Sequence, residues 1–357
     1  MTKHMFAGVS ASGGFINFFD DILPLSSAKQ RFFLKGSSGS GKSTFIKKIA
    51  TKFETAGFDC ERFHCANDIE SLDALAVPGK GLSIIDATAP HSLDPEIPIA
   101  IDKIIDFSQF IDESKIKPYM EELKSLQRSK KLLNKKASNY LAAVGNIYQA
   151  NTLTKPIPNK ALVNETLQIW LKFLDAYAIN GIYGQNRRLF LSALTPDGYV
   201  NFTDYYFKNC KIYGLCADMQ ENSAFLAKLR DESNARGIDT ISFHCPFATG
   251  SLEHLYLPAA AVAFVTADKR FGYNGPVDET IDFVYSTNSK ILSKEAGDNC
   301  YERDNFLFDE MISAAVKSMN ESRALHRRIE KIYEKTLDFK RVDKMTEKVI
   351  EELLGAV

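Results

Sequence analysis

Apolar and polar positions in the first ninety residues follow two rhythms. Arg31-Phe32-Phe33-Leu34-Lys35 is a short apolar run closed by basic residues, the pattern of a buried strand. Thr44-Phe45-Ile46-Lys47-Lys48-Ile49-Ala50 then sets apolar side chains at 45, 46, 49 and 50, one face of an amphipathic helix. Leu82-Ser83-Ile84-Ile85-Asp86 is a second strand, ending in a carboxylate. Helix-rich stretches occupy roughly residues 118–178 and 305–354. No apolar run approaches about 18 residues, so no membrane-spanning helix is expected.

The pattern is written twice. Phe63-His64-Cys65 recurs as Phe243-His244-Cys245, and at the same offset Gly57, Asp59, Ser71, Leu72, Leu75 and Pro78 match Gly237, Asp239, Ser251, Leu252, Leu255 and Pro258. Residues 43–88 laid over 223–268 give 13 identities in 46 positions, where ordinary composition gives about three. Upstream, Phe6, Gly14, Asn17, Phe18 and Asp20 match Phe190, Gly198, Asn201, Phe202 and Asp204, so the second copy is shorter around residues 24–30. The expected architecture is α/β: a tandem repeat of two P-loop NTPase-like three-layer α/β units. Residues 1–180 form the first and 181–357 the second, each with a helix-rich appendage.

P-loop character is expected from Gly36-Ser37-Ser38-Gly39-Ser40-Gly41-Lys42-Ser43, which fits G-x-x-x-x-G-K-[ST] at every fixed position and sits between the strand and the helix. Glycines let backbone N–H groups converge on phosphate oxygens, and the helix N-terminus adds partial positive charge. Residues 36–44, Thr44 included, are therefore the expected nucleotide-binding set. Lys42 is expected to reach the terminal phosphates and Ser43 to hold Mg²⁺. Asp86, at a strand end beside the loop, is the second candidate for the metal, or else an Asx cap of the turn that follows. His91 is a candidate for the terminal phosphate or the attacking water, or for turn stability. Asp73 is a weaker candidate for a second polar group near the metal, because its counterpart Glu253 keeps the charge, which argues for a surface or structural role.

The second copy lacks this chemistry. Residues 216–223 read Cys216-Ala217-Asp218-Met219-Gln220-Glu221-Asn222-Ser223, so three glycines and the lysine are gone, and Thr266 stands where Asp86 was. One functional site, in the first unit, is expected. His64-Cys65 and His244-Cys245 do not predict zinc, since adjacent strand residues point to opposite faces. Phe15, Phe18 and Phe19 are read as packing.

Composition changes this picture little. Apolar content is 45% and charged content 25%, and the net charge of −1 gives no global pull toward nucleic acid. The basic clusters Arg128–Lys136 and Arg323–Arg328 lie in helical patterns and read as solvated faces. Cysteines at 60, 65, 210, 216, 245 and 300 form no CxxC pair and fit reduced thiols. With no secretory pattern at residues 1–9, a cytoplasmic location is expected.

His4-Met5-Phe6-Ala7, the 36–43 loop, Phe63-His64-Cys65 and Asp86-Ala87-Thr88-Ala89-Pro90-His91 together resemble a little-characterised family of bacterial tandem P-loop ATPase-like proteins, over essentially the full length. Members of that family usually carry the loop in both halves; this chain departs from them at 216–223. The resemblance implies a nucleotide-binding, ATPase-like protein and supplies no substrate. The expectation is an ATP-binding, Mg²⁺-dependent hydrolase with Lys42, Asp86 and His91 in the chemistry. No Asn-Lys-x-Asp tetrapeptide favours guanine. A small-molecule kinase and a nucleotide-sensing adaptor with protein contacts through its helical tails are the alternatives. Arg187, Arg188 and Arg128 are the arginines available to the transferring phosphate.

Overall fold

The computed structural model describes residues 2–152, 158–267, 271–283 and 298–355, with the backbone alone described at 151–152, 298–302 and 355. The side chain of Cys300, and Asp268 opposite Thr88, lie outside the described residues.

The first unit runs β1 (Lys3–Met5), β2 (Gly8–Ala11), β3 (Gly14–Asn17), β4 (Gln30–Lys35), α1 (Lys42–Thr55), β5 (Glu61–Cys65), β6 (Asp68–Val77), β7 (Leu82–Asp86) and β8 (Asp102–Asp106). Its appendage is α2 (Met120–Thr152) and α3 (Lys160–Leu174). Six strands pair in the order β1-β5-β6-β7-β4-β8, with β6 antiparallel to both its neighbours. Parallel pairing of β4 with β7 sets Leu34 beside Asp86, so the carboxylate stands at the carboxyl edge of the sheet, next to the loop that leaves β4.

In the second unit β9 (Asn186–Leu189), β10 (Ser192–Thr195), β11 (Gly198–Asn201), β12 (Lys211–Cys216), α4 (Met219–Ala235), β13 (Thr240–His244), β14 (Leu252–Leu257), β15 (Val262–Thr266) and β16 (Glu279–Asp282) follow, then α5 (Asp298–Glu334) and α6 (Phe339–Gly355). The sheet order β9-β13-β14-β15-β12-β16 repeats that of the first unit. Agreement reaches single residues. The Gly81 turn has φ 64°, and Ala261, its counterpart, holds φ 51° despite the roughly 1 kcal/mol that a side chain costs there. Phe6 and its counterpart Phe190 bond each other reciprocally, N to O at 2.9 and 3.0 Å, so the pseudo-two-fold axis passes between them.

Each sheet carries helices on one face only, which corrects the expected three layers per unit. Along β4, Phe32 and Leu34 pack with Phe45, Ile46 and Ile49 of α1, whereas Phe33 belongs to a different cluster. That cluster joins Phe33, Phe63 and Ile85 of the first sheet to Phe243, Ala263 and Val265 of the second, with Phe19, Tyr206 and Phe207 among them. The two sheets thus share one core. Burying each of these Phe side chains contributes about 2–3 kcal/mol relative to exposure.

The appendages cross over. α3, which follows the first unit, places Leu167, Trp170, Leu171 and Leu174 against Phe225, Leu226 and Leu229 of α4. α6, which follows the second, places Val342, Val349 and Leu353 in the core beneath α1, with Lys48–Asp343 and Lys103–Glu352 ion pairs at its rim. Both crossings close in the same way: Asn159 N donates to Phe283 O at 2.9 Å and Asp338 N to Phe110 O at 2.8 Å. Each unit is therefore covered by its partner's tail.

Candidate functional site

The loop between β4 and α1 turns on Gly36, Gly39 and Gly41, whose φ values are 142°, 75° and 92°. Lys42 opens α1 and is almost fully buried. Its Nζ donates to Gly36 O and Ser37 O, both at 2.8 Å, and stands 3.6 Å from Asp86 Oδ2. Burial lowers the lysine below its ordinary value, and Asp86 opposes that shift. Asp86 keeps both roles open to it, since its other oxygen accepts from Thr88 N at 3.0 Å and caps the turn. Thr88 Oγ1 in turn donates to Gly36 O at 3.1 Å, tying that turn to the loop.

Ser38 to Thr44 line a cavity of about 330 Å³ together with Asp73, Asp86 and His91. Gly36 and Ser37 do not line it; their carbonyls hold Lys42. Asp73 is buried in the wall, so of the surface and structural roles expected for it the surface one falls. Burial raises its carboxyl to about 6, with His91 as the main opposing influence. His91 Nε2 lies 3.8 Å from Asp73 Oδ2, and its ring stacks on Phe19 with Phe15 at its edge. The phenylalanines thus act as packing, and what they pack is a cavity residue. Ser43 lines the cavity, and its Oγ accepts from Leu72 N at 2.9 Å.

A roof for this cavity comes from the helix pair. α2 and α5 run antiparallel, joined by Arg328–Glu122, Lys130–His326 and Ser322–Asn134 contacts. At Gly39 a side chain would stand 2.7 Å from Glu330 O and 2.8 Å from Glu330 Cα, so glycine is needed there for the helix to rest on the loop. Lys130, Arg323, His326 and Glu330 face the cavity. Sequence reasoning missed all four, having read both basic clusters as solvated. Arg187 instead binds Glu61 and the carbonyls of Asp21 and Ile22, and Arg188 binds Asp21. Those two join the units, away from the cavity. Arg128 is exposed.

The second unit closes the same place. α4 begins three residues earlier relative to α1, capped by Asp218, whose side chain accepts from Glu221 N. Asn222 replaces Lys42, fully buried, with Nδ2 at 3.3 Å from Leu215 O and Ala217 O and 3.5 Å from Thr266 Oγ1. Met219, in the place of Gly39, packs with Phe247, Phe308, Ala315 and Met319 under the other half of the helix pair. Phe271, in the place of His91, accepts a hydrogen bond from Tyr199 at its carbonyl.

His64 and His244 both sit with Nδ1 2.8 Å from a carbonyl five residues on, Ile69 O and Thr249 O. Burial lowers both to about 4. Among the described residues no group of three or more His, Cys, Asp or Glu is arranged to hold a metal, and no helix is long and apolar enough to cross a membrane. Comparisons with family models, with curated proteins and with solved structures give no match.

Proposed function

We propose that the first unit binds ATP with Mg²⁺ through residues 36–44 and hydrolyses its terminal phosphoanhydride, and that the second unit binds no nucleotide. One observation carries this: a glycine-turned loop, a buried ammonium and a carboxylate meet at the mouth of one helix, with Lys42 Nζ 3.6 Å from Asp86. Oriented amides and a cation are what a transferring phosphoryl group needs.

The donor set fits a magnesium ion. Magnesium binds through one or two carboxylates, phosphates and water rather than a closed cage of protein ligands, so the absence of a three-residue cluster among the described residues is no obstacle. Ser43 and Asp86 would hold it, and when bound it neutralises charge on the phosphate oxygens. Lys42 already donates to two loop carbonyls and would exchange these for phosphate oxygens. Asp73, raised to about 6, is a base suited to neutral pH, and His91, 3.8 Å from it, would help to place a water. The stacking of Phe19 on His91 fixes the imidazole plane.

Phosphate release from ATP is expected to require Mg²⁺, to fall at least about 100-fold in Lys42→Ala, and to fall in Asp86→Asn with nucleotide still bound. Undiminished release in Lys42→Ala would overturn the assignment. The seating of α5 on the loop favours one second reading, a nucleotide-sensing protein with little turnover. It predicts tight binding with negligible release in the wild type.

A further inference from the structure

Three cations reach the cavity besides the loop's own Lys42: Lys47, Lys130 and Arg323. Arg323 is already neutralised, with both terminal nitrogens on Asp197 at 2.6 and 2.8 Å. Lys130 differs. Its hydrogen bond goes to His326 Nδ1 at 2.7 Å, and among the described residues no carboxylate lies within ion-pair range of it. Burial holds His326 down to about 4, so its imidazole is neutral and accepts from the ammonium. Nε2 of the same ring faces Glu330 Oε1 at 3.5 Å, which fixes the ring plane. Desolvation lowers Lys130 as well, and Glu330, which faces the other nitrogen of that ring, opposes the shift only in part. An anion on the cavity side would relieve that cost.

Lys130 lines the cavity, so that is where such an anion would stand. Glu330, one helical turn beyond His326, has its backbone against Gly39, so the wall that carries Lys130 rests on the loop itself. We infer that Lys130, steadied by His326, is the roof-side contact for the terminal phosphate of a bound nucleoside triphosphate, so that the α2–α5 pair distinguishes triphosphate from diphosphate. This rests on the nucleotide reading above and adds to it the group that reads the third phosphate. The same helix pair continues over the second unit, where Phe308, Ala315 and Met319 lock it to Met219 and Phe247. One end of the rod is thereby fixed, and the other end is the one that phosphate loss releases.

Calorimetry on the full chain with Mg²⁺ compares a non-hydrolysable ATP analogue with ADP. Lys130→Gln should weaken the analogue about tenfold or more, the scale of one charge-assisted hydrogen bond, and leave ADP within about twofold. Lys130→Arg should recover most of the loss. On the unaltered protein, amide exchange across residues 322–334 should be slower with the analogue than with ADP. An unchanged analogue-to-ADP affinity ratio in Lys130→Gln, or equal exchange with both nucleotides, overturns this inference alone. Wild-type protein that binds neither nucleotide overturns it together with the reading beneath it.

Discussion

Lys42 and Asn222 hold the same position in two copies of one fold, and their surroundings have diverged in step. Around Lys42 stand a carboxylate, a histidine, a buried aspartate and a loop turned by glycines. Around Asn222 the carboxylate has become Thr266, the histidine Phe271 and the loop an extra turn of helix. The cavity of one unit is the apolar plug of the other, and one helix pair covers both, with polar residues over the first and Phe308, Ala315 and Met319 over the second.

The repeat therefore serves as an internal control. Features kept in both copies have a role in the fold, whatever the first unit adds to it. Ser43 is the instructive case: it survives as Ser223, and both hydroxyls accept from a strand amide at 2.9 Å, Leu72 N and Leu252 N. That bond explains why the serine outlasts the lysine. His64 and His244 are kept for the same kind of reason, each bonded to a carbonyl of its own turn. Features found in one copy alone are the first candidates for chemistry, among them Gly36, Gly39, Gly41, Lys42, Asp86 and His91.

Attempts to erase the difference should fail in a defined order. Asn222→Lys restores the motif's cation where Thr266 supplies no counter-charge, and is expected to destabilise the fold by about 3–5 kcal/mol without creating a second nucleotide site. Urea unfolding and nucleotide titration check both halves of that statement, and a stable variant with a second site would break the comparison.

Acid is the next largest effect. His64 and His244 titrate near 4 in the fold and near 6.5 when unfolded, so the unfolded chain binds protons first as pH falls through that window. Stability should drop by about 2 kcal/mol for each histidine between pH 7 and pH 5. Asp73, whose folded carboxyl titrates near 6, takes up its proton in the fold and offsets part of the loss. His64→Asn and His244→Asn keep a donor for the carbonyl and should each remove a similar share of the acid sensitivity in urea midpoints. Unequal shares would mean the two turns are not equivalent.

The smallest effect is the sharpest test of what was kept. Ser43→Ala and Ser223→Ala should each cost about 1–2 kcal/mol by stranding a buried amide, whereas only Ser43→Ala should weaken the Mg²⁺ dependence of nucleotide binding.

Much of this was legible in the chain. The offset of 180 residues located both units, and the loop, Asp86 and the loss of both in the second copy followed from it. Phe33 shows where legibility stops. Its place in a buried strand says that both faces of the sheet are covered, not whether a helix or a second sheet covers them. The crossing of α3 and α6 was hidden for a similar reason, since an amphipathic helix declares an apolar face without naming its partner. The burial of Asp73 is not legible because a buried carboxylate and an exposed one are written with the same letter. Lys130 and His326 are 196 residues apart in charge-rich helices, and only their packing brings them to one cavity.

The most direct test of the account is the stoichiometry of nucleotide binding to the intact chain, measured by calorimetry with Mg²⁺. One ATP per chain is predicted, lost in Lys42→Ala and retained in Asn222→Ala. Two equivalent sites, no binding at all, or survival of binding in Lys42→Ala would contradict it.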